Sequence, residues 1–261
     1  MFDERRFEIL QKKITGERRI RDSDDFKVMD EVFDKRTLLT LYDLLKHERI
    51  KSVEFPISTG KEGNVFMALD PKGLPLVLKI YRVTNADFRN ITDYIIGDPR
   101  FKGISKNKWK LIEAWCKKEF KNLMRYSGCG LPVPRPILSR SNVLLMEYIG
   151  NEVSPSPTMK HCPPADAKQA KAWKRDLIEF MVRGYNEAEL VHADLSEYNV
   201  LIRDGKPVVI DVGQALLKRH PNAMRYLLKD IERVLSYFEK AGVERDGDET
   251  ELILSRFKEV D

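Results

Sequence analysis

VHADLSEYNVLI at 191–202 and VVIDVG at 208–213 decide how this chain is read. Each is an apolar run interrupted by a few polar residues, the pattern of a buried strand opening into a short loop. Together they place His192, Asp194, Asn199 and Asp211 on one strand–loop–strand stretch. Transfer of a phosphoryl group demands such a set. One carboxylate orients the accepting hydroxyl, an amide oxygen holds a metal, and a second carboxylate joins metal to phosphate. In isolation Asp194, Asn199 and Asp211 suit ordinary turns beside apolar strands equally well. The reading therefore needs partners upstream, in a fixed order.

The spacing matches the protein-kinase catalytic loop at His192, Asp194, Leu195 and Asn199, with Ala193 in place of Arg. Asp211-Val212-Gly213 stands where Asp-Phe-Gly would. The segment VEFPISTGKEGNVFMALD (53–70) reads as strand, glycine turn, strand. Counted back from Val65, Gly63 and Gly60 fall on the third and second glycines of a phosphate loop, and Ser58 replaces the first. Lys61, within that loop, is placed to reach the terminal phosphates. LPLVLKIYR (74–82) then sets Lys79 inside an apolar strand. A buried ammonium requires an anion or a hydrogen-bonding partner.

That partner is sought on the next helix, KNKWKLIEAWCKKEFKNLMRYSG (106–128), whose apolar stripe is read as Trp109, Ile112, Cys116, Phe120 and Leu123. Glu113 and Glu119 are its only acids; both flank the stripe, and helical phase does not choose between them. Glu119 is favoured. Further on, VLLMEYIG (143–150) is an apolar strand ending in glycine, where a kinase hinge meets adenine. Glu147 offers its carbonyl there and Ile149 its N–H, with Met146 at the back of the pocket.

STGKEGNVF (58–66), the Lys79 strand, MEYIG, HADLSEYNVLI and IDVGQA resemble the RIO family of atypical serine/threonine protein kinases, across residues 50–240. The phosphate loop is most similar to the type-one branch, and the length is archaeal-like. Gly63 departs from the pattern, since many relatives carry Ala there. The resemblance implies an α/β two-lobed protein-kinase-like fold with a reduced large lobe, binding ATP and Mg²⁺ (or Mn²⁺) in the cleft. It implies Lys79 on the α- and β-phosphates with Glu119 holding it, Asp194 as base, and Asn199 and Asp211 as metal ligands. It gives Asp211 a second use, as acceptor of the γ-phosphate. It also implies work in maturation of the small ribosomal subunit, with precursor rRNA and proteins as partners. Two rivals are weighed beside it: a small-molecule phosphotransferase resembling aminoglycoside and choline kinases, and a nucleotide-binding scaffold without activity. The STGKE loop argues against the first, and the intact Lys79, Asp194, Asn199 and Asp211 against the second.

Organisation follows from pattern. Residues 1–50 are expected to be a helical extension, with one face at Phe26, Met29 and Phe33 and a second at Leu38, Leu41, Tyr42 and Leu45. Residues 51–149 would form the small lobe and 150–261 the large lobe. Large-lobe helices are expected at 166–189, at 221–240 (Met224, Leu227, Leu228, Ile231, Val234, Leu235, Phe238) and near 248–258. No Ala-Pro-Glu follows Asp211, so no activation segment of the usual kind is expected. The stretch after Lys79, up to the basic helix, lacks a persistent period and is read as a functional insertion. Its Ser105, flanked by Lys102, Lys106 and Lys108, is the candidate autophosphorylation site.

Charge is uneven. Residues 100–125 hold nine basic and two acidic residues, a net +7 against +5 for the whole chain. A solvated face explains such a helix, and so does an RNA backbone. No RNA-recognition motif or sequence-specific DNA-binding pattern is present. No stretch approaches the roughly 18 apolar residues of a membrane span, and the first twenty residues are charged throughout. Cys116, Cys129 and Cys162 lack metal-ligand spacing. These features together place the expected protein in the cytoplasm, with reduced thiols.

Overall fold

The computed structural model describes residues 34–60, 63–82, 94–104, 107–151 and 154–258. Lys61, Ser105 and the expected helix at Phe26–Phe33 lie outside them. Two compact units are present, one drawn from Met1–Asn90, Gly103–Lys117 and Pro136–Tyr148, the other from Ile91–Lys102, Lys118–Arg135 and Ile149–Asp261. The chain passes from one to the other inside a helix, after Lys117, and again after Tyr148.

The first unit is a five-stranded antiparallel sheet of strands β1 (Ser52–Thr59), β2 (Gly63–Leu69), β3 (Pro75–Tyr81), β4 (Pro136–Arg140) and β5 (Val143–Glu147), in the order β1-β2-β3-β5-β4. Pro56, which has no N–H, is tolerated because β1 is an edge strand whose register shifts beside it. Helix α1 (Lys35–Lys46) covers one face of the sheet. Asp34 caps it, accepting from the N–H groups of Arg36 and Thr37. Leu38, Leu41 and Leu44 then pack on Val53, Phe66, Leu78, Ile80, Val143 and Leu145. Tyr42, expected on that face, is exposed and Leu45 only partly buried. Asn142 ties α1 to the sheet, its amide donating to Thr37 Oγ1 and the Tyr81 carbonyl, both at 2.9 Å.

The second unit is mostly helical. Helices α3 (Ala167–Asn186), α4 (Ala223–Lys240) and α5 (Glu249–Leu254) pack with the C-terminal half of helix α2 (Lys108–Gly128) around two small sheets. One sheet pairs β6 (Leu190–Val191) with β9 (Leu216–Leu217); the other is a hairpin of β7 (Val200–Arg203) and β8 (Lys206–Val209). Asp204 and Gly205 both take positive φ in the two-residue turn of that hairpin, as such tight turns require. Gly184 of α3 lets Tyr126 of α2 approach so closely that a Cβ there would sit 3.0 Å from its ring, and Tyr126 stacks on Phe180. The α3 residues expected inside, Trp173, Leu177, Phe180 and Met181, are buried.

Two expected faces are corrected. On α4, Met224 and Leu228 are exposed, and the inward stripe is Leu227, Asp230, Ile231, Val234, Leu235 and Phe238. On α2 the buried stripe is Ile112, Trp115, Cys116, Glu119, Asn122, Leu123 and Tyr126, with Trp109 and Phe120 only part-buried at its margin. Both stripes contain polar residues, which a search for apolar periodicity alone passes over.

Candidate active site

In the first unit Lys79 sits on β3 opposite Val65 of β2 and Leu144 of β5, and is 7% exposed. Its ammonium lies 5.2 Å from the centre of the Tyr81 ring, two residues along the same face. The charge is felt by Cys116 of α2; burial nonetheless pushes that thiol up to about 12, so it is inert. Ser58 pairs with Val65 near the connection between β1 and β2, and the Gly60 N–H bonds the Gly63 carbonyl at 2.9 Å. Gly63 is there for closeness: a Cβ would stand 2.5 Å from the Ile80 carbonyl oxygen. An Ala at this point would need the β2–β3 backbone to shift. Met146 and Glu147 end β5, paired with Val77 and Leu76, and the chain leaves this unit two residues before Gly150.

In the second unit the sequence candidates are drawn together. His192 is buried, and burial holds its imidazole below the usual value, hence neutral. Its Nδ1 accepts the Asp194 N–H at 3.3 Å, so Nε2 carries the proton and donates to the Ile210 carbonyl at 3.2 Å. One ring thus joins the loop bearing Asp194 to the residue preceding Asp211. Asn199 closes the loop: its Nδ2 donates to the Asp194 carbonyl at 2.9 Å and to Asp194 Oδ2 at 3.3 Å. Because the amide nitrogen is engaged there, Oδ1 is turned away as an acceptor. The Ile210 N–H bonds the Asn199 carbonyl, which fixes the spacing of Asn199 from Asp211. Asp211 itself is exposed and left-handed, with φ 57° and ψ 57°, a conformation Asp tolerates better than most residues.

The loop is also held from below by residues the sequence reading missed. Ala193 has φ 70°, costly for a residue with a Cβ. Its N–H and that of Leu195 donate to the two oxygens of Asp230 on α4, at 2.7 and 2.9 Å. Arg233, one turn on, donates to Asp194 Oδ1 at 2.8 Å. Asp230 lies within the apolar stripe of α4, between Leu227 and Val234, and an acid in that phase was the available signal. Burial pushes its carboxyl up to about 7, against the pull of the two N–H donors and Arg233. Folding therefore raises this pKa, so its contribution to stability is complete below the unfolded value of 3.8 and is lost as pH rises through about 7. Asp230→Asn should flatten the stability curve across that window. Asp230→Ala strands two buried N–H groups and should cost about 3 kcal/mol. Thermal melting of the three proteins from acid to neutral pH checks both; an Ala variant as stable as wild type removes this role.

Glu119 and Glu113 differ plainly. Glu119 is 1% exposed, whereas Glu113 is exposed and accepts from Ser141 Oγ. A carboxylate that deep needs charge or hydrogen-bond compensation. Lys118 overturns its reading as part of a solvated basic face. It is 1% exposed, and its Nζ donates to the Gly213 carbonyl at 2.8 Å. Lys108, Lys110, Lys117 and Lys121 are exposed.

The donor set suits a hard cation. Mg²⁺ takes oxygen ligands, typically one or two from protein with phosphates and water supplying the rest. Asn199 Oδ1 and the exposed Asp211 carboxylate fit that requirement. Among the described residues no helix is long and apolar enough to cross a membrane.

The chain matches the model of the RIO domain over residues 64–252. It is 41% identical over 230 residues to a RIO-type serine/threonine-protein kinase Rio1 of Haloferax volcanii, covering 88% of this chain and 78% of that one. The Rio1 of Methanocaldococcus jannaschii is 38% identical, with 85% and 74% covered. Human serine/threonine-protein kinase RIO1 is 37% identical over 86% of this chain, which spans 40% of the human protein's length. Among solved structures, the Rio2 kinase–ADP/Mg²⁺–phosphoaspartate complex from Chaetomium thermophilum superposes with a TM-score of 0.66 at 24% identity, over 84% of this chain and 66% of that one. That likeness gives the fold, a kinase-like α/β architecture; the sequence matches give the family. With its loop of His192, Asp194 and Asn199 and its Asp211 turn, this chain belongs to the RIO family of atypical serine/threonine protein kinases, on the Rio1 branch.

Proposed function

We propose that this kinase uses ATP with Mg²⁺ (or Mn²⁺) in two ways: it phosphorylates a serine or threonine, including its own Ser105, and it hydrolyses ATP as a switch on precursors of the small ribosomal subunit. The observation that carries the chemistry is the hydrogen-bonded loop in which His192 and Asn199 fix Asp194 and Asp211 on one frame. Lys79 binds the α- and β-phosphates, while Ser58, Gly60, Lys61, Gly63 and Val65 shape the phosphate loop. The Glu147 carbonyl and Ile149 N–H hold adenine against Met146. Asn199 and Asp211 hold the cation, which when bound neutralises charge on the phosphates. Asp194 accepts the proton of the attacking hydroxyl.

In the hydrolytic route an Asp211 oxygen attacks the γ-phosphorus and the bond to the β,γ-bridging oxygen breaks, so ADP leaves and an acyl phosphate forms. Water then attacks that phosphorus; the carboxylate leaves, and inorganic phosphate and a proton are released. The phosphoaspartate in the Chaetomium Rio2 complex supports this reading. Incubation with γ-labelled ATP should give free phosphate, phosphoserine and a hydroxylamine-labile label that Asp211→Asn lacks. No hydroxylamine-labile label under quenched conditions would sink the acyl route, and no transfer at all would sink the site.

Attachment to the precursor particle is assigned to the exposed lysines of α2. Wild-type protein should co-sediment with small-subunit precursors at low salt and leave as salt rises, since phosphate contacts release counterions. Reversing Lys108, Lys110, Lys117 and Lys121 to Glu should abolish this and leave basal ATP hydrolysis unchanged. Sedimentation unaffected by the reversals rules out this face.

A further inference from the structure

We infer that Lys118, Asn122 and the Asp98–Arg100 pair form a clamp that fixes the turn carrying Asp211, and so act as positioning residues for its carboxylate. This rests on the role proposed above for Asp211. The turn Val212–Gln214 is only three residues long, and one internal bond, from the Ala215 N–H to the Val212 carbonyl, closes it. Such a turn does not by itself hold the left-handed residue before it in one orientation. Its carbonyls are instead taken from outside. Lys118 Nζ donates to Gly213 at 2.8 Å, and Asn122 Nδ2 donates to Val212 at 2.8 Å and Ala215 at 3.3 Å.

An amide side chain can face either way, and here its direction is set. Arg100 Nη1 donates to Asn122 Oδ1 at 2.6 Å, which forces Nδ2 toward the turn. Arg100 is in turn forked onto Asp98, with Nε at 2.9 and 3.0 Å and Nη2 at 2.6 Å. Burial pushes the Asp98 carboxyl up, but the Arg100 hydrogen bonds and charge prevail and hold it below the usual range. Asp98, Lys118 and Asn122 are all buried. Apolar side chains would fill that space at no desolvation cost. What the polar set supplies, and apolar packing does not, is a single direction for the Val212 and Gly213 carbonyls.

Asn122→Asp keeps the shape and the acceptor for Arg100 but replaces the donating NH₂ by an oxygen facing two carbonyls. Two readouts apply: amide hydrogen exchange of peptides spanning 208–217 without nucleotide, and the metal concentration giving half-maximal ATP hydrolysis. The clamp predicts exchange in 208–217 faster by about tenfold, with α3 peptides unchanged. It predicts a half-maximal metal concentration raised about fivefold, with turnover at saturating metal near wild type. Lys118→Met should move both in the same direction. Arg100→Lys, which keeps a positive charge beside Asp98 but cannot fork onto it and orient the Asn122 amide together, serves if either variant fails to fold, and should give a smaller shift of the same kind. Wild-type exchange and an unshifted metal requirement in the folded variants overturn the clamp, as does lost turnover with neither change. If wild-type protein shows no metal-dependent turnover, the role of Asp211 fails, while the exchange comparison still decides the clamp.

Discussion

Replacing Asp211 by Ala lowers phosphoryl transfer from ATP by about a hundredfold or more, and replacing Lys79 by Ala does the same. Each residue is assigned to charge that develops on the transferring group, and removal of one such group typically costs about 3–4 kcal/mol of transition-state stabilisation. The two differ in what else they disturb. Asp211 is exposed but left-handed, a conformation that costs Ala more than Asp, so a small fall in melting temperature is expected for Ala, and Asp211→Asn, which tolerates that backbone, is its control for folding. Lys79 is buried among β-strand neighbours, so Lys79→Met, which keeps the bulk, is the better control for packing. Turnover measured beside melting curves decides. Wild-type turnover in either variant, with a normal melting curve, ends that residue's assignment.

The loop of His192, Asp194 and Asn199 was legible because its residues lie close in sequence. His192, Asp194 and Asn199 fall within eight consecutive residues, and Asp211 follows one hairpin later. Strand β3 was legible for a related reason: one Lys in an apolar strand has few explanations. The supports of that loop were not legible. Asp230 grips Ala193 and Leu195 across 37 and 35 residues, and Asn122 reaches Val212 across 90. Nothing in a window of sequence announces such bonds. The nearest signal is a polar residue in the phase of an apolar stripe, and Glu119, Asn122 and Asp230 all carry it. Lys118 shows the opposite failure. Its neighbours on α2 made it look like one of a solvated row, yet helical phase turns it inward to a backbone carbonyl. Composition reads charge; it does not read which way a charge points.

Asp194→Asn should separate the two proposed routes. The amide keeps an oxygen for Arg233 and gives up the 3.3 Å bond from Asn199, whose Nδ2 still donates to the backbone carbonyl of residue 194, so the loop should stay in place. What it loses is the ability to accept a proton from an attacking hydroxyl. Transfer to a serine or threonine should fall about 10²–10⁴-fold, the usual worth of a positioned base. ATP affinity should stay near wild type, because Asp194 is not assigned to nucleotide or cation. Attack by Asp211 needs no base, since a carboxylate has no proton to lose, so the hydroxylamine-labile label should persist in Asp194→Asn. Asn199→Ala should behave differently, raising the metal concentration needed for both routes alike. The measurement is one labelled-ATP reaction per variant, resolved into phosphoserine, acyl phosphate and free phosphate across a metal titration. Were Asp194→Asn to lose the acyl label together with phosphoserine, Asp194 and Asp211 would serve a single step, and the division between a kinase route and an ATPase route would have to be abandoned.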